Sequence, residues 1–201
     1  MNRLFLLGLL RLLCGATVNW KGSEPASCRS RIYFANHTSH LDALVIWSAL
    51  PREMRDRTRP VAGRDYWTQG RLRYRFATEF MNAVLIERKH VTAGNNPVET
   101  MLQALREGSS LILFPEGTRS ASAEPGPFKS GLYHLAKHCP GSELVPVFLE
   151  NLNRVLPKGE FLPVPMLCSI TVGSPLQLLE SETKTDFLER ARKAVSELQH
   201  A

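Results

Sequence analysis

The chain holds four cysteines in 201 residues, Cys14, Cys28, Cys139 and Cys168. None forms a Cys-x-x-Cys pair, and no two stand at zinc-ligand spacing. A disulfide framework and a redox dithiol are thereby set aside. What remains is four reduced thiols in a cytosol-facing protein, each expected as a small buried hydrophobe. Internal repeats and low-complexity segments are missing as well, so neither a solenoid nor a disordered tail is indicated. Also missing is a clean membrane span. The apolar run from Leu4 to Leu10 is broken by Arg11, and the weaker run from Leu12 to Val18 does not restore it. The whole stretch falls short of the roughly 20 residues that a spanning helix needs.

Three readings of this N-terminal stretch stay open. A signal peptide would use Arg3 as its basic start, but Arg11 interrupts its apolar region. An ordinary helix packed on the core is the second. The preferred reading is a helix lying in the membrane interface over residues 1–20, with Arg3 and Arg11 at headgroup level. Residues 21–201 then form one domain, long enough to bury a full core. Apolar residues make up 43% and charged residues 22%, ordinary values for a globular chain. The net charge is +6, which points to an anionic partner.

The pattern alternates strands with helices. Residues 31–35 read as a strand, followed by a helix that Ser39 can cap and Pro51 ends. Strands are expected at 60–63, 82–86, 111–114, 143–148 and 166–172. A helix over 97–107 has Asn96 as N-cap, Pro97 at the first position, Glu99 closing a capping box and Gly108 as the stop. Its Val98, Met101, Leu102 and Leu105 share one face. Further helices are expected at 130–137 and after Thr183, the latter burying Phe187, Leu188, Ala191, Ala194, Val195 and Leu198. Residues 157–165 are a proline-rich loop. The sum is an α/β domain, a mostly buried mixed sheet flanked by helices.

Residues 36–42 read Asn36-His37-Thr38-Ser39-His40-Leu41-Asp42. An imidazole can take a proton from a hydroxyl near neutral pH if a carboxylate fixes its tautomer. Five positions apart on one helix, His37 and Asp42 would lie about 140° around the axis. They can meet only if His37 is in the loop and Asp42 in the first helical turn. Two other readings compete. Ser39-x-x-Asp42 is a capping-box pattern. His37, His40 and Asp42 also form half of a metal-hydrolase cluster, but His90, His134 and His138 are too scattered to complete it, so no metal is expected.

Residues 114–120 read Phe114-Pro115-Glu116-Gly117-Thr118-Arg119-Ser120 and follow an apolar strand, at a sheet end where α/β proteins bind ligands. Gly117 lets backbone N–H groups approach an anion. Thr118 and Ser120 add hydroxyls, and Arg119 can fork onto a phosphate. The plain alternative is a polar turn with a surface Glu116–Arg119 ion pair.

In this order the two elements resemble the glycerolipid acyltransferases, specifically the 1-acylglycerol-3-phosphate (lysophosphatidic acid) acyltransferase family. That family's apolar run ending in arginine is matched by Val84-Leu85-Ile86-Glu87-Arg88, its apolar strand with proline by Leu144-Val145-Pro146-Val147, and its Phe-Lys-x-Gly by Phe128-Lys129-Ser130-Gly131. The match covers residues from about 30 to about 150, and the last 50 or so residues carry no motif. The resemblance implies that His37 is the general base, that Asp42 orients it, and that the acceptor hydroxyl attacks the acyl thioester directly. It implies that Arg88, Gly117 and Arg119 hold the acceptor phosphate, with Glu116 and Thr118 also on the acceptor and Pro146 shaping the donor side. No cofactor is implied: the acyl donor is a co-substrate, acyl-CoA or acyl carrier protein. Glu87 departs from the expected charge by offsetting part of Arg88. The acceptor is expected to be lysophosphatidic acid. Glycerol 3-phosphate, another lysophospholipid and an aminolipid are the alternatives, and a non-catalytic lipid-binding protein is the rival of another class.

Residues 51–75 hold eight arginines against Glu53, Asp56 and Asp65, with Tyr66, Trp67 and Tyr74 interleaved. Such a stretch suits an anionic membrane surface. A solvated face is the plain alternative, and no nucleic-acid motif accompanies it. The expected place is the cytoplasmic face of the cell membrane, peripheral or monotopic.

Overall fold

The computed structural model describes residues 17–25, 27–120, 122, 124–152 and 167–200. Seven strands form one sheet: β1 (Thr17–Trp20), β2 (Arg31–Ala35), β3 (Thr58–Gly63), β4 (Val84–Ile86), β5 (Ser110–Leu113), β6 (Glu143–Glu150) and β7 (Ser169–Val172). Their order is β1-β7-β6-β2-β5-β3-β4. The five strands β6, β2, β5, β3 and β4 are mutually parallel. β7 is antiparallel to β6 and carries β1 parallel to itself. The expected mixed, mostly buried sheet is therefore observed.

A parallel sheet needs cover on both faces, because its crossovers lie there. β2 meets that demand with five consecutive buried residues. Ile32 and Phe34 face α5 (Pro97–Arg106), α6 (Gly131–His138) and α7 (Lys184–Glu197), packing near Leu105, Leu132 and Phe187. Tyr33 and Ala35 face the opposite cluster, where α1 (Asp42–Ala49) brings Val45, Ile46 and Trp47, and α2 (Arg52–Asp56) brings Met54. Asn96 caps α5 by accepting from the Val98 N–H at 2.9 Å, as its sequence signals. Glu99 does not close the box: Arg106, two turns further along the same face, takes its carboxylate at 2.6 Å. Thr183 caps α7, accepting from the Asp186 N–H at 3.2 Å.

Some elements differ from the sequence reading. Residues 17–20, assigned there to the N-terminal segment, form β1 and pair with β7 from Thr17↔Ser169 to Trp20↔Val172. The interfacial helix expected over the remainder, residues 1–16, lies outside the described residues, as does the loop at 157–165. Among the described residues no helix is long and apolar enough to cross a membrane. β3 starts two residues before Pro60, pairing with β5 through Thr58, Arg59 and Pro60 and with β4 through Val61, Ala62 and Gly63. Proline has no N–H to donate, so it sits where the strand exchanges one neighbour for the other. Between β3 and β4 run three short helical pieces, α3 (Arg64–Trp67), α4 (Arg71–Arg75) and a π-turn, Phe76–Phe80. Cys168 is buried and burial pushes the half-buried Cys139 thiol up, whereas Cys28 is exposed. Cys28 lies in the irregular segment before β2, where the fold uses its carbonyl as an acceptor for Arg57.

The topology decides where the site is. β2, β5, β3 and β4 are adjacent and parallel, so their C-terminal ends lie side by side along one edge. Those ends carry His37, the 114–120 loop, Gly63 and Arg88. The chain leaves the sheet after Ala35 without stranding its neighbour. The Asn36 side chain donates to the Leu149 carbonyl at 2.9 Å and accepts from the Leu149 N–H at 2.8 Å, prolonging the β2–β6 ladder. Replacing Asn36 with alanine orphans both buried Leu149 groups, and is expected to cost about 2–4 kcal/mol of stability in urea unfolding.

Candidate active site

Asp42 opens α1 with a carboxylate that is 0% exposed. Its Oδ2 accepts the Thr38 N–H at 2.7 Å and the Ser39 N–H at 2.9 Å, and faces His37 Nδ1 at 2.8 Å. The helix-start reading and the acid–imidazole reading are thus both realised on one oxygen. Ser39 itself is not the N-cap: its Oγ accepts from Leu41 N–H at 3.3 Å, within the turn. Because an oxygen serving two amides can only accept, the proton between the pair sits on Nδ1. The other ring nitrogen of His37 is left for the cavity.

His37 is held by its main chain as well. Its N–H donates to Glu116 Oε1 at 2.9 Å, and its carbonyl accepts from the Ser120 N–H at 2.8 Å. Its ring stacks on Phe114, with centroids 4.1 Å apart. Glu116 is buried and does not line the cavity; it reaches the His37 backbone instead of forming the surface pair with Arg119. Ser120 spends its hydroxyl on the Ser122 N–H. The two sequence elements are therefore one structural unit.

A cavity of about 250 Å³ opens beside them. His37, Arg88, Gly117, Thr118 and Arg119 line it. Apolar side chains share the lining, among them Leu44, Trp67, Phe76, Met81, Ile86 and Leu113, so cationic and apolar groups face one cavity. Gly117 has φ +72°, a left-handed turn open to glycine, and a Cβ there would meet Lys129 Nζ at 2.5 Å. Nη1 of Arg119 is buried with no hydrogen-bond partner among the described residues, a donor awaiting an acceptor.

Arg88 is not offset by Glu87, as the sequence suggested. Glu87 Oε1 folds back to accept the N–H groups of Arg88 and Lys89, at 2.9 and 3.0 Å. The carboxylate on Arg88 is Asp65, with Nη2 donating at 2.7 Å, and the guanidinium holds Asp65 below the usual carboxylate range. In the sequence Asp65 is only one acid in a basic stretch. Tyr66 and Trp67, expected at a membrane surface, both line the cavity, in a run of ring contacts from His40 through Tyr66, Trp67 and Phe76 to Phe80. Among the described residues no three histidine, cysteine, aspartate or glutamate side chains gather as a metal site.

His40 lines the same cavity, stacked on Tyr66. Burial, then the charges of Arg119 and His37, hold it below the ordinary histidine range; Arg73 adds to this and Asp42 opposes it. A histidine depressed in the folded state binds protons more readily when unfolded, so stability falls as pH drops through the unfolded value of about 6.5. Wild type should therefore lose more urea resistance than His40→Gln between about pH 7 and pH 5, by less than about 1 kcal/mol because the ring is only partly buried. Equal losses would remove His40 from this account.

Known proteins share this architecture. A 1-acyl-sn-glycerol-3-phosphate acyltransferase from Limnanthes alba is 34% identical over 165 residues, 79% of this chain and 55% of that protein. A probable 1-acyl-sn-glycerol-3-phosphate acyltransferase from Mycoplasma pneumoniae is 29% identical over 134 residues, 65% of this chain and 48% of that one. The chain thus spans about half the length of these curated relatives. In fold it is similar to the crystal structure of the 1-acyl-sn-glycerophosphate (LPA) acyltransferase PlsC from Thermotoga maritima, with a TM-score of 0.72 over 98% of this chain and 80% of that one, at 18% identity. The family model for acyltransferases matches residues 17–150, the stretch from β1 to β6 that carries every strand end around the cavity, and on that match the chain belongs to the acyltransferase family.

Proposed function

We propose that this protein transfers a fatty acyl group from acyl-CoA or acyl carrier protein to the free hydroxyl of 1-acylglycerol 3-phosphate, giving phosphatidic acid for phospholipid synthesis. The observation that carries the reading is the His37–Asp42 pair, 2.8 Å apart, with His37 lining a cavity that also presents Arg88, Arg119 and an apolar wall. The acceptor phosphate meets Arg119 and Arg88 beside Gly117. The acyl chain follows the aromatic and aliphatic wall. The names of the relatives support this acceptor.

In the reaction the acceptor hydroxyl gives its proton to the unprotonated ring nitrogen of His37 as its oxygen attacks the thioester carbonyl. Asp42 keeps the ring in the correct tautomer and stabilises the imidazolium that forms. The tetrahedral intermediate collapses by breaking the carbon–sulfur bond, and the departing thiolate takes the proton back from His37. Glu116 acts through the His37 main chain, fixing the base relative to the 114–120 loop.

We also place the protein on an anionic membrane surface at the cytoplasmic face. α4 supports this: Leu72 is 84% exposed between Arg71 and Arg73, next to the segment that walls the cavity. An exposed leucine framed by arginines suits the boundary between headgroups and acyl chains. The free thiols of Cys28 and Cys139 fit a reducing compartment.

Thioester consumption with palmitoyl-CoA, with and without lysophosphatidic acid, tests the chemistry. His37→Ala should lower acceptor-dependent turnover about 10²–10⁴-fold, and Asp42→Asn should do nearly as much through the tautomer. Turnover retained in His37→Ala would end this mechanism, and thiol release without acceptor would indicate a thioesterase. For the membrane, Leu72→Asp should weaken binding to phosphatidylglycerol vesicles about tenfold, the value of one buried leucine. Unchanged vesicle binding would move the docking surface elsewhere.

A further inference from the structure

We propose that Asp65, seated over Gly63, is a positioning residue that orients Arg88 for the acceptor's phosphate. This inference rests on the reading above that the acceptor carries a phosphate. Gly63 ends β3, and its neighbour in register on β4 is Ile86, two residues before Arg88. Asp65 Oδ1 accepts from Arg88 Nε at 3.0 Å and Nη2 at 2.7 Å, and its Oδ2 accepts from Nη2 at 3.0 Å. On the other side, Arg88 Nη1 donates to the Gly117 carbonyl at 3.1 Å.

Arg88 therefore links three adjacent strand ends, reaching from its own position after β4 to Asp65 after β3 and on to Gly117 after β5. A guanidinium has five N–H donors. Four contacts hold this one in a fixed plane and leave an N–H over for a ligand in the cavity that Arg88 lines. An unsupported arginine on a loop would have to freeze its long side chain on each binding event. Here Asp65 has ordered it beforehand, and Arg88 in return holds the Asp65 carboxylate in its charged form.

Gly63 makes the arrangement possible. A Cβ there would lie 2.5 Å from Arg88 Cζ and 2.6 Å from Asp65 Oδ1, too close for either to stay. Lys89 Nζ, 3.9 Å from Asp65 Oδ2, is too loosely placed to substitute for the fork. Arg119, by contrast, has a buried Nη1 with no partner among the described residues. The two cations differ in kind, one braced in advance and one completed only by the ligand.

The experiment compares wild type, Asp65→Asn, Asp65→Glu and Gly63→Ala on the full chain, varying lysophosphatidic acid and acyl-CoA separately. Asp65→Asn and Gly63→Ala should each raise the acceptor KM about tenfold, the scale of one charge-assisted hydrogen bond, with kcat and the acyl-CoA KM within about twofold. Asp65→Glu should recover part of the loss. Binding of glycerol 3-phosphate by calorimetry should weaken in parallel. An unmoved acceptor KM in an active protein overturns the inference, as does a fall in both kcat and acyl-CoA affinity, which marks a merely structural carboxylate. A lower acceptor KM in Asp65→Asn also overturns it, since Asp65 would then compete with the phosphate. A wild type unable to acylate lysophosphatidic acid defeats the functional reading itself.

Discussion

One buried oxygen atom, Asp42 Oδ2, governs the active end of this molecule. Three donors converge on it, two from the main chain of the turn and one from the His37 ring. The amides bring the loop around, so the loop's shape and the ring's orientation follow from the same atom. A buried carboxylate without such donors would be costly to keep charged. The turn that delivers His37 is thus also what makes Asp42 tolerable inside the protein.

The sheet turns this local pair into a site. No single loop contains enough chemistry for recognition and proton transfer together. Parallel pairing of β2, β5, β3 and β4 sets four loop starts on one edge. Main-chain bonds then tie the pieces laterally, Glu116 and Ser120 to His37, and Arg88 to Gly117. Part of the apolar wall comes from the crossover between β3 and β4, which is broken into short turns. A long regular helix there would present one continuous ridge; α3 instead offers Tyr66 and Trp67, and the π-turn Phe76 and Ala77, to the cavity.

Much of this was legible in the chain itself, for physical reasons that can be named. Helix ends such as Asn96 and Thr183 announce themselves because capping is local, a side chain bonding an amide two or three residues away. β2 and β5 announce themselves because strands covered on both faces are continuously apolar. The His37–Asp42 pair was readable since the sequence offered a strand end followed by a helix start. What escaped was non-local. β1 is four residues of mixed character whose partner lies some 150 positions on, and nothing within the chain's immediate neighbourhood marks it. Asp65 looked like one acid diluting a basic stretch, because its partner is 23 residues away. Glu87 looked like a charge beside Arg88, though its carboxylate was claimed by the turn's own amides. The aromatics Tyr66 and Trp67 have the same composition whether they face a bilayer or a cavity, and only the fold distinguishes the two.

The Asn36 side chain has an implication for which substitutions this position can accept. A primary amide carries a donor and an acceptor in one plane, as a peptide group does, and here it stands in for the peptide that β2 no longer supplies. Aspartate would keep the shape but present two acceptors to a neighbour that needs one of each. Leucine would fill the volume and satisfy neither. Because the side chain impersonates the backbone, the real backbone is released one residue early. The N–H and carbonyl of His37 are then free to recruit a different loop, so a mimic at the rim of the sheet is what lets the main chain change allegiance from scaffold to chemistry.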